Sequence, residues 1–214
     1  GSVTVSLGSK GDIECDLIAS GGKWGRGPTR DVHSSNAAQL DQPAWHLVQA
    51  LNTLVTPEGD PAIDGFFEHV RPLTKEEHAM LDILARRMDE KAALEAIGAR
   101  VWARNAGWRQ ALEDYVSRPT LTIEGLVGGY GGAGGKTIQP HKMTAKLDMR
   151  LVPDMTPEDI MAKLAAHLAK RGFGDIEIVK NGGFNYVSST PASSKLIQAQ
   201  ARVYRQYGVD AMLM

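Results

Sequence analysis

Lys10-Gly-Asp-Ile-Glu-Cys-Asp-Leu-Ile-Ala-Ser20 alternates along its length: Ile13, Cys15, Leu17 and Ala19 fall on one side, and Asp12, Glu14 and Asp16 on the other. A period of two is that of a strand with one face in a core and one in water. Before it, Val3, Val5 and Leu7 predict a short strand, and Gly1-Ser2 reads as a cloning remnant. After it, residues 21–36 are rich in Gly and small polar residues and read as a long loop, a length that usually carries function. Pro43 then opens a helix in its first turn, where the missing N–H costs nothing, and Leu47, Val48, Leu51 and Leu54 or Val55 form its apolar stripe.

Between about residues 56 and 118 the pattern changes to short helices joined by loops, which reads as an insertion. Thr74-Lys-Glu-Glu77 is a capping box, followed by an apolar face of Met80, Leu81, Leu84 and Met88. A further helix is predicted over Gly107 to Val116. Strand signals return at Thr120–Gly125 and Thr144–Val152, with the glycine-rich run Gly128–Thr137 between them. Thr156-Pro-Glu-Asp159 starts a helix with Ile160, Leu164, Ala165 and Leu168 buried, Gly172 ends it, and Asp175–Lys180 is the last strand. Without the insertion the order is strand, helix, strand, strand, helix, strand. That predicts an α+β fold, a ferredoxin-like split βαβ sandwich with a four-stranded antiparallel sheet and two helices on one face. The tail from Ser193 to Tyr207 reads as a helix that begins something else and then stops without a closing element. The expected division is therefore residues 1–189 as one domain and 190–214 as the start of another.

Composition excludes several classes of function. In 214 residues, 43% apolar and 23% charged, 24 Lys and Arg stand against 25 Asp and Glu. No segment joins basic residues to aromatics, so no nucleic-acid partner is expected. Neither an apolar run long enough to span a membrane nor a signal peptide is read, so no membrane partner is expected. The single Cys15 cannot form an internal disulfide, which points to a reducing, cytoplasmic setting.

Two site motifs fail. Gly135-Lys-Thr137 matches the end of a phosphate loop, but the first glycine of that motif falls at Tyr130, and Ile-Gln-Pro140 cannot open the helix that would hold a phosphate. None of His33, His46, His69, His78, His141 or His167 sits in a zinc-ligand spacing, and Glu76-Glu77 belongs to the capping box, so no metal ligand is expected in this chain.

An ordered set of blocks carries more. Asp31-Val-His33-Ser34 precedes the Pro43 helix; Pro119-Thr-Leu-Thr-Ile-Glu-Gly125, Gly128-Gly-Tyr130, Gly135-Lys-Thr-Ile-Gln-Pro140 and Leu147-Asp-Met-Arg-Leu-Val-Pro153 follow. In order and spacing these resemble the lid, or dimerisation, domain of co-catalytic zinc peptidases of the carnosinase, glutamate carboxypeptidase and aminoacylase type. The inserted Gly65-Phe-Phe67 and Leu73-Thr-Lys-Glu-Glu77 are similar to the longer lid of the dipeptidase branch. Where that family continues H-S-G, this chain reads His33-Ser-Ser-Asn36.

The resemblance implies the lid of a homodimeric exopeptidase or dipeptidase that hydrolyses an amide next to a free carboxylate, acting on peptides or N-acyl amino acids. It implies Zn2+ in the intact enzyme, on ligands outside this chain, and a fragment inactive alone. Residue by residue, His33 matches a histidine that reaches the partner subunit's active site and donates to the oxyanion. Thr137 matches a position near the substrate's carboxylate end, Arg150 the arginine that binds that carboxylate, and Gly134 and Gly135 let backbone approach a ligand. Asp31 is expected to hold His33 in one tautomer. The rival reading is a non-enzymatic ferredoxin-like dimerisation module.

Overall fold

A computed structural model describes residues 3–214; Gly1 and Ser2 lie outside the described residues. Along the chain come β1 (Thr4–Val5), β2 (Gly8–Ser9), β3 (Gly11–Ser20), α1 (Gly21–Trp24), β4 (Val32–His33) and α2 (Pro43–Asn52). Then follow α3 (Lys75–Arg87), α4 (Glu90–Ala96), α5 (Trp108–Ser117), β5 (Thr120–Gly128), β6 (Ile138–Gln139) and β7 (Lys142–Leu151). The remainder is α6 (Pro157–Lys170), β8 (Glu177–Asn185), β9 (Ser188–Ser189), α7 (Lys195–Gln206) and β10 (Met212–Leu213).

The alternation in β3 does what it predicts. Ile13, Cys15, Leu17 and Ala19 are fully buried, and β3 lies inside a four-stranded sheet of order β5-β7-β3-β8. Every pairing in it is antiparallel. Ala145, Leu147, Met149 and Leu151 of β7 complete the buried face, and α2 and α6 cover it with Leu47, Ala50, Leu51, Ile160, Leu164 and Leu168. With α2 between β3 and β5, and α6 between β7 and β8, the order is that of a split βαβ unit. The opposite face carries Asp12, Glu14, Asp16, Lys146, Asp148 and Arg150.

Four details differ from expectation. In α6 Ala165 is exposed, and His167 joins Ile160, Leu164 and Leu168 in the buried stripe. Val48 points outward and is exposed, and its place in the buried stripe of α2 is taken by His46 and Ala50. Trp24 stacks on the His46 ring at 3.8 Å, and Asp175 bonds Nε2 at 3.0 Å, so a polar side chain is satisfied inside the stripe. Strands β5 and β8 run past their predicted ends, into Gly128 and Asn185, because glycines in a paired strand still make ladder bonds. The tail does close: β10 pairs parallel with β1, and Met212 and Met214 pack on the small core of the insertion, formed by Leu81, Leu84 and Leu112.

The insertion begins as its capping box demands. Thr74 Oγ1 accepts from the Glu77 N–H at 3.2 Å while Glu77 accepts from the Thr74 N–H at 2.7 Å. Among the described residues, no helix is long and apolar enough to cross a membrane.

Candidate functional site

The long loop after β3 and the glycine-rich loop after β5 meet in a two-residue ladder. Val32 stands opposite Gln139 and His33 opposite Ile138, and the Ser34 N–H donates to the Thr137 carbonyl at 3.1 Å. His33 and Thr137, 104 positions apart in sequence numbering (137 minus 33), are thus backbone neighbours, and both are exposed. Gly134 lies in the same loop with φ of 74°, where a side chain would be strained, and no atom stands where a Cβ of Gly134 or Gly135 would be. The structure therefore brings together four of the five residues singled out above.

The His33 ring is held from one side. Ser35 N–H donates to Nδ1 at 3.2 Å, and Ser35 Oγ lies 2.8 Å from the same nitrogen. A nitrogen that accepts from a backbone N–H carries no proton, so the neutral ring has its hydrogen on Nε2. Among the described residues Nε2 has no partner, which leaves an oriented N–H donor facing outward. The expectation that Asp31 holds His33 is corrected here. Asp31 Oδ1 instead takes the His141 N–H at 3.0 Å and lies 2.7 Å from His141 Nδ1, which pins the two loops together one step away from His33. The bonds from His141 hold the Asp31 carboxyl below its usual pKa. Ser35 was hidden because it occupies a position where the resembling family carries glycine.

Arg150 stands elsewhere. It pairs with Asp12 and Thr120 across β3 and β5, at the end of the sheet far from the loops. From Lys142, next to the loops, to Arg150 the extended strand covers about 26 Å. Arg150 Nε donates to Asp148 Oδ2 at 2.9 Å, and this bond, ahead of any other contribution, raises the pKa of the guanidinium. Its two terminal nitrogens make no hydrogen bond among the described residues. The other cation at this end, Lys10, is engaged: its ammonium donates to the Arg118 carbonyl at 2.6 Å, and burial pushes its pKa down to about 8.

Metal-binding side chains do not converge. Among the described residues no group of three or more His, Cys, Asp or Glu side chains could hold a metal ion. Three of the six histidines are committed to other contacts: His46 to Asp175, His141 to Asp31, and His167 to Thr53 and the Asp64 N–H.

The apolar surface has one conspicuous gap. Ile123 and Leu126 of edge strand β5 stand opposite Leu147 and Ala145, on the face that α2 and α6 cover elsewhere, yet they are 46% and 54% exposed. On α2, Trp45 and Val48 are exposed as well.

Residues 21–175 match the family described as the peptidase dimerisation domain. The chain is 31% identical over 145 residues to the Cys-Gly metallodipeptidase dug1 of Schizosaccharomyces pombe, which covers 67% of this chain and 30% of the relative. It is 25% identical over 188 residues to the Beta-Ala-His dipeptidase of Rattus norvegicus, covering 85% of this chain and 37% of the relative. A solved structure, the M20 family metallo-carboxypeptidase Sso-CP2 of Sulfolobus solfataricus, matches with a TM-score of 0.88 and 32% identity over all of this chain and 53% of its own. The chain thus spans about a third of the length of these curated relatives.

Proposed function

The chain belongs to the M20 peptidase dimerisation domain family, and from that premise we propose that it is the lid of a homodimeric zinc dipeptidase or carboxypeptidase that hydrolyses an amide next to a free carboxylate. The observation that carries the reading is the separation of two groups: His33 with Thr137 in the β4–β6 ladder, next to the Lys142 end of β7, and Arg150 at the other end of β7, about 26 Å along the strand from Lys142. A dipeptide is far shorter than that. One substrate can therefore meet all three only if His33 and Thr137 come from one subunit and Arg150 from the other.

In this arrangement Arg150 offers its open pair of terminal N–H groups to both oxygens of the substrate carboxylate, a geometry to which a guanidinium is suited. His33 offers Nε2–H to the oxygen that gains negative charge as the scissile carbonyl becomes tetrahedral. A preorganised donor of this kind contributes roughly 3–4 kcal/mol to the transition state. Thr137, fixed beside His33 by the Ser34 bond, lines the same approach. Zinc is assigned to residues outside this chain, as the resemblance to the metallopeptidases implies.

The uncovered face of β5, with Trp45 and Val48 of α2, is the surface we assign to the second subunit; an edge strand needs a cover. Strands β1 and β10 form a parallel ribbon of two strands only, too small to be stable alone. This supports a second domain that receives both, so that the short first strand goes with the tail from residue 190 rather than with the lid. The unpaired Cys15 supports a reducing, cytoplasmic location.

Subunit mixing in the full-length protein tests the reading. His33→Ala and Arg150→Ala dimers are each impaired at both sites, whereas a mixed dimer has one site with Arg150 and a partner histidine both intact. Recovery of up to half the wild-type kcat/KM at low substrate is expected. Mixed dimers that form and show no recovery would falsify the shared site.

A further inference from the structure

We propose that Asp148 is a positioning residue for substrate recognition: it holds the Arg150 guanidinium by Nε so that both terminal nitrogens stay free for the substrate carboxylate. The proposal rests on the reading of Arg150 given above, and the geometry around the pair supports it. Several arginines of the fold fill their terminal fork. Arg71 gives Nη1 and Nη2 to the Glu77 carboxylate at 2.8 and 2.7 Å, and Arg171 gives its pair to Asp64 at 3.1 and 2.8 Å. Arg109 uses Nε and both terminal nitrogens on Asp82, Glu113 and His78. Arg150, like Arg26 on Asp41, is gripped at Nε and left open at the tip, but the Asp41 side chain is 44% exposed whereas that of Asp148 is 10% exposed, so only Arg150 is held by a buried carboxylate.

Asp148 is unusual in its own right. It is only 7% exposed on a sheet face that is otherwise wet, and its Oδ1 is buried without a hydrogen-bond partner. A buried carboxylate oxygen left unpaired is destabilising, and a β-branched apolar residue would suit the strand better. The one side-chain hydrogen bond that Asp148 makes among the described residues is to Arg150, two residues along on the same face. Glu14 stands opposite it on β3 and Thr122 opposite on β5, and neither supplies the missing bond. The carboxylate is thus held in place while its free oxygen stabilises nothing, which is the pattern of a group kept for where it puts its neighbour.

The test uses the full-length enzyme and four variants: Asp148→Val, Asp148→Asn, Arg150→Ala and the double variant Asp148→Val with Arg150→Ala. Asp148→Val removes the unpaired oxygen, so its thermal midpoint should equal or exceed that of the parent. Its KM should nevertheless rise about tenfold or more, with kcat changed far less. Asp148→Asn keeps an oxygen for Nε and should recover most of the lost affinity. The central readout is coupling: in the Arg150→Ala background, adding Asp148→Val should leave KM where it was, because there is no guanidinium left to position. An unchanged KM in Asp148→Val, or an effect of the same size with and without Arg150, overturns the positioning role while leaving Arg150 as the carboxylate residue. An unchanged KM in Arg150→Ala overturns the carboxylate reading itself and the positioning role with it.

Discussion

Ser34 donates its backbone N–H to the carbonyl of Thr137 at 3.1 Å, and this bond joins two loops that lie in sequence on either side of the central insertion, one after β3 and one after β5. It fixes the position of His33 through backbone, and the Asp31 bonds to His141 and the Asn36 amide on the His33 carbonyl add to it. The His33 ring is then oriented locally by Ser35.

His33→Ala in the full-length enzyme should lower kcat by roughly a hundredfold or more and leave KM little changed, because a donor to an oxyanion acts mainly in the transition state. Ser35→Ala should give a smaller loss of the same kind, since it removes the hydroxyl but keeps the backbone N–H on Nδ1. Steady-state kinetics check both. A rise in KM with constant kcat would move His33 from the reaction to binding.

Leu126→Lys should shift the protein towards monomer, because it sets a charge on the uncovered apolar face of β5. Light scattering across a range of protein concentrations measures this.

His167 gives a pH dependence of stability whose direction is set by its bonds. Its Nδ1 accepts from the Asp64 N–H at 3.0 Å, and Nε2 donates to the Thr53 carbonyl at 3.0 Å, so the neutral ring is fully used. Burial, aided by the charge of Arg171, lowers its pKa below the ordinary 6.5. The unfolded chain therefore binds this proton first. The contribution of His167 is complete above about pH 6.5 and is lost as pH falls below it, at a rate of at most about 1.4 kcal/mol per pH unit for one proton. Urea midpoints of the wild type should fall between pH 7.5 and 5 by more than those of His167→Gln. Equal falls in both would remove His167 from the acid response.

Cys15 is fully buried, and burial, with Asp16 beside it, pushes its thiol up to about 12. Alkylation at pH 8 should be negligible in the folded protein and complete in denaturant, as mass spectrometry would show. Rapid labelling under native conditions would mean that β3 opens locally.

Much of the fold was legible because one alternating strand separates core from water without ambiguity, and Asp12 to Ala19 behave as their spacing predicts. The sheet order followed from the element order. What spacing could not supply was pairing between distant side chains. Asp31 lies two residues from His33 yet bonds His141, because the ladder of Val32 with Gln139 brings His141 to it. In α2, hydrophobicity alone favoured Val48 for the buried stripe. The buried place went to His46, whose polar atoms find Asp175 and whose ring finds Trp24, neither visible from the helix itself. The distance between His33 and Arg150 required the register of β7, which fixes which end of the strand each belongs to.

The pairing of β1 with β10 has a mechanical meaning. Entry and exit strands run side by side, about 4.8 Å apart, and β2 and β9 pair again at the next step, Gly8 with Ser189. On the proposed division, with the first strand and the tail from residue 190 in a second domain, both covalent connections pass through one point instead of gripping the sheet at two separated ends. A body tethered at one point pivots, whereas one tethered at two distant points can only shear or bend. Once Met212 and Met214 leave the insertion core and Asp210 leaves Arg87, the long sheet would act as a lever, and a few degrees of rotation at Ser6-Leu7 and Thr190 would carry the end beside His33 through a much larger arc than the base that bears Arg150.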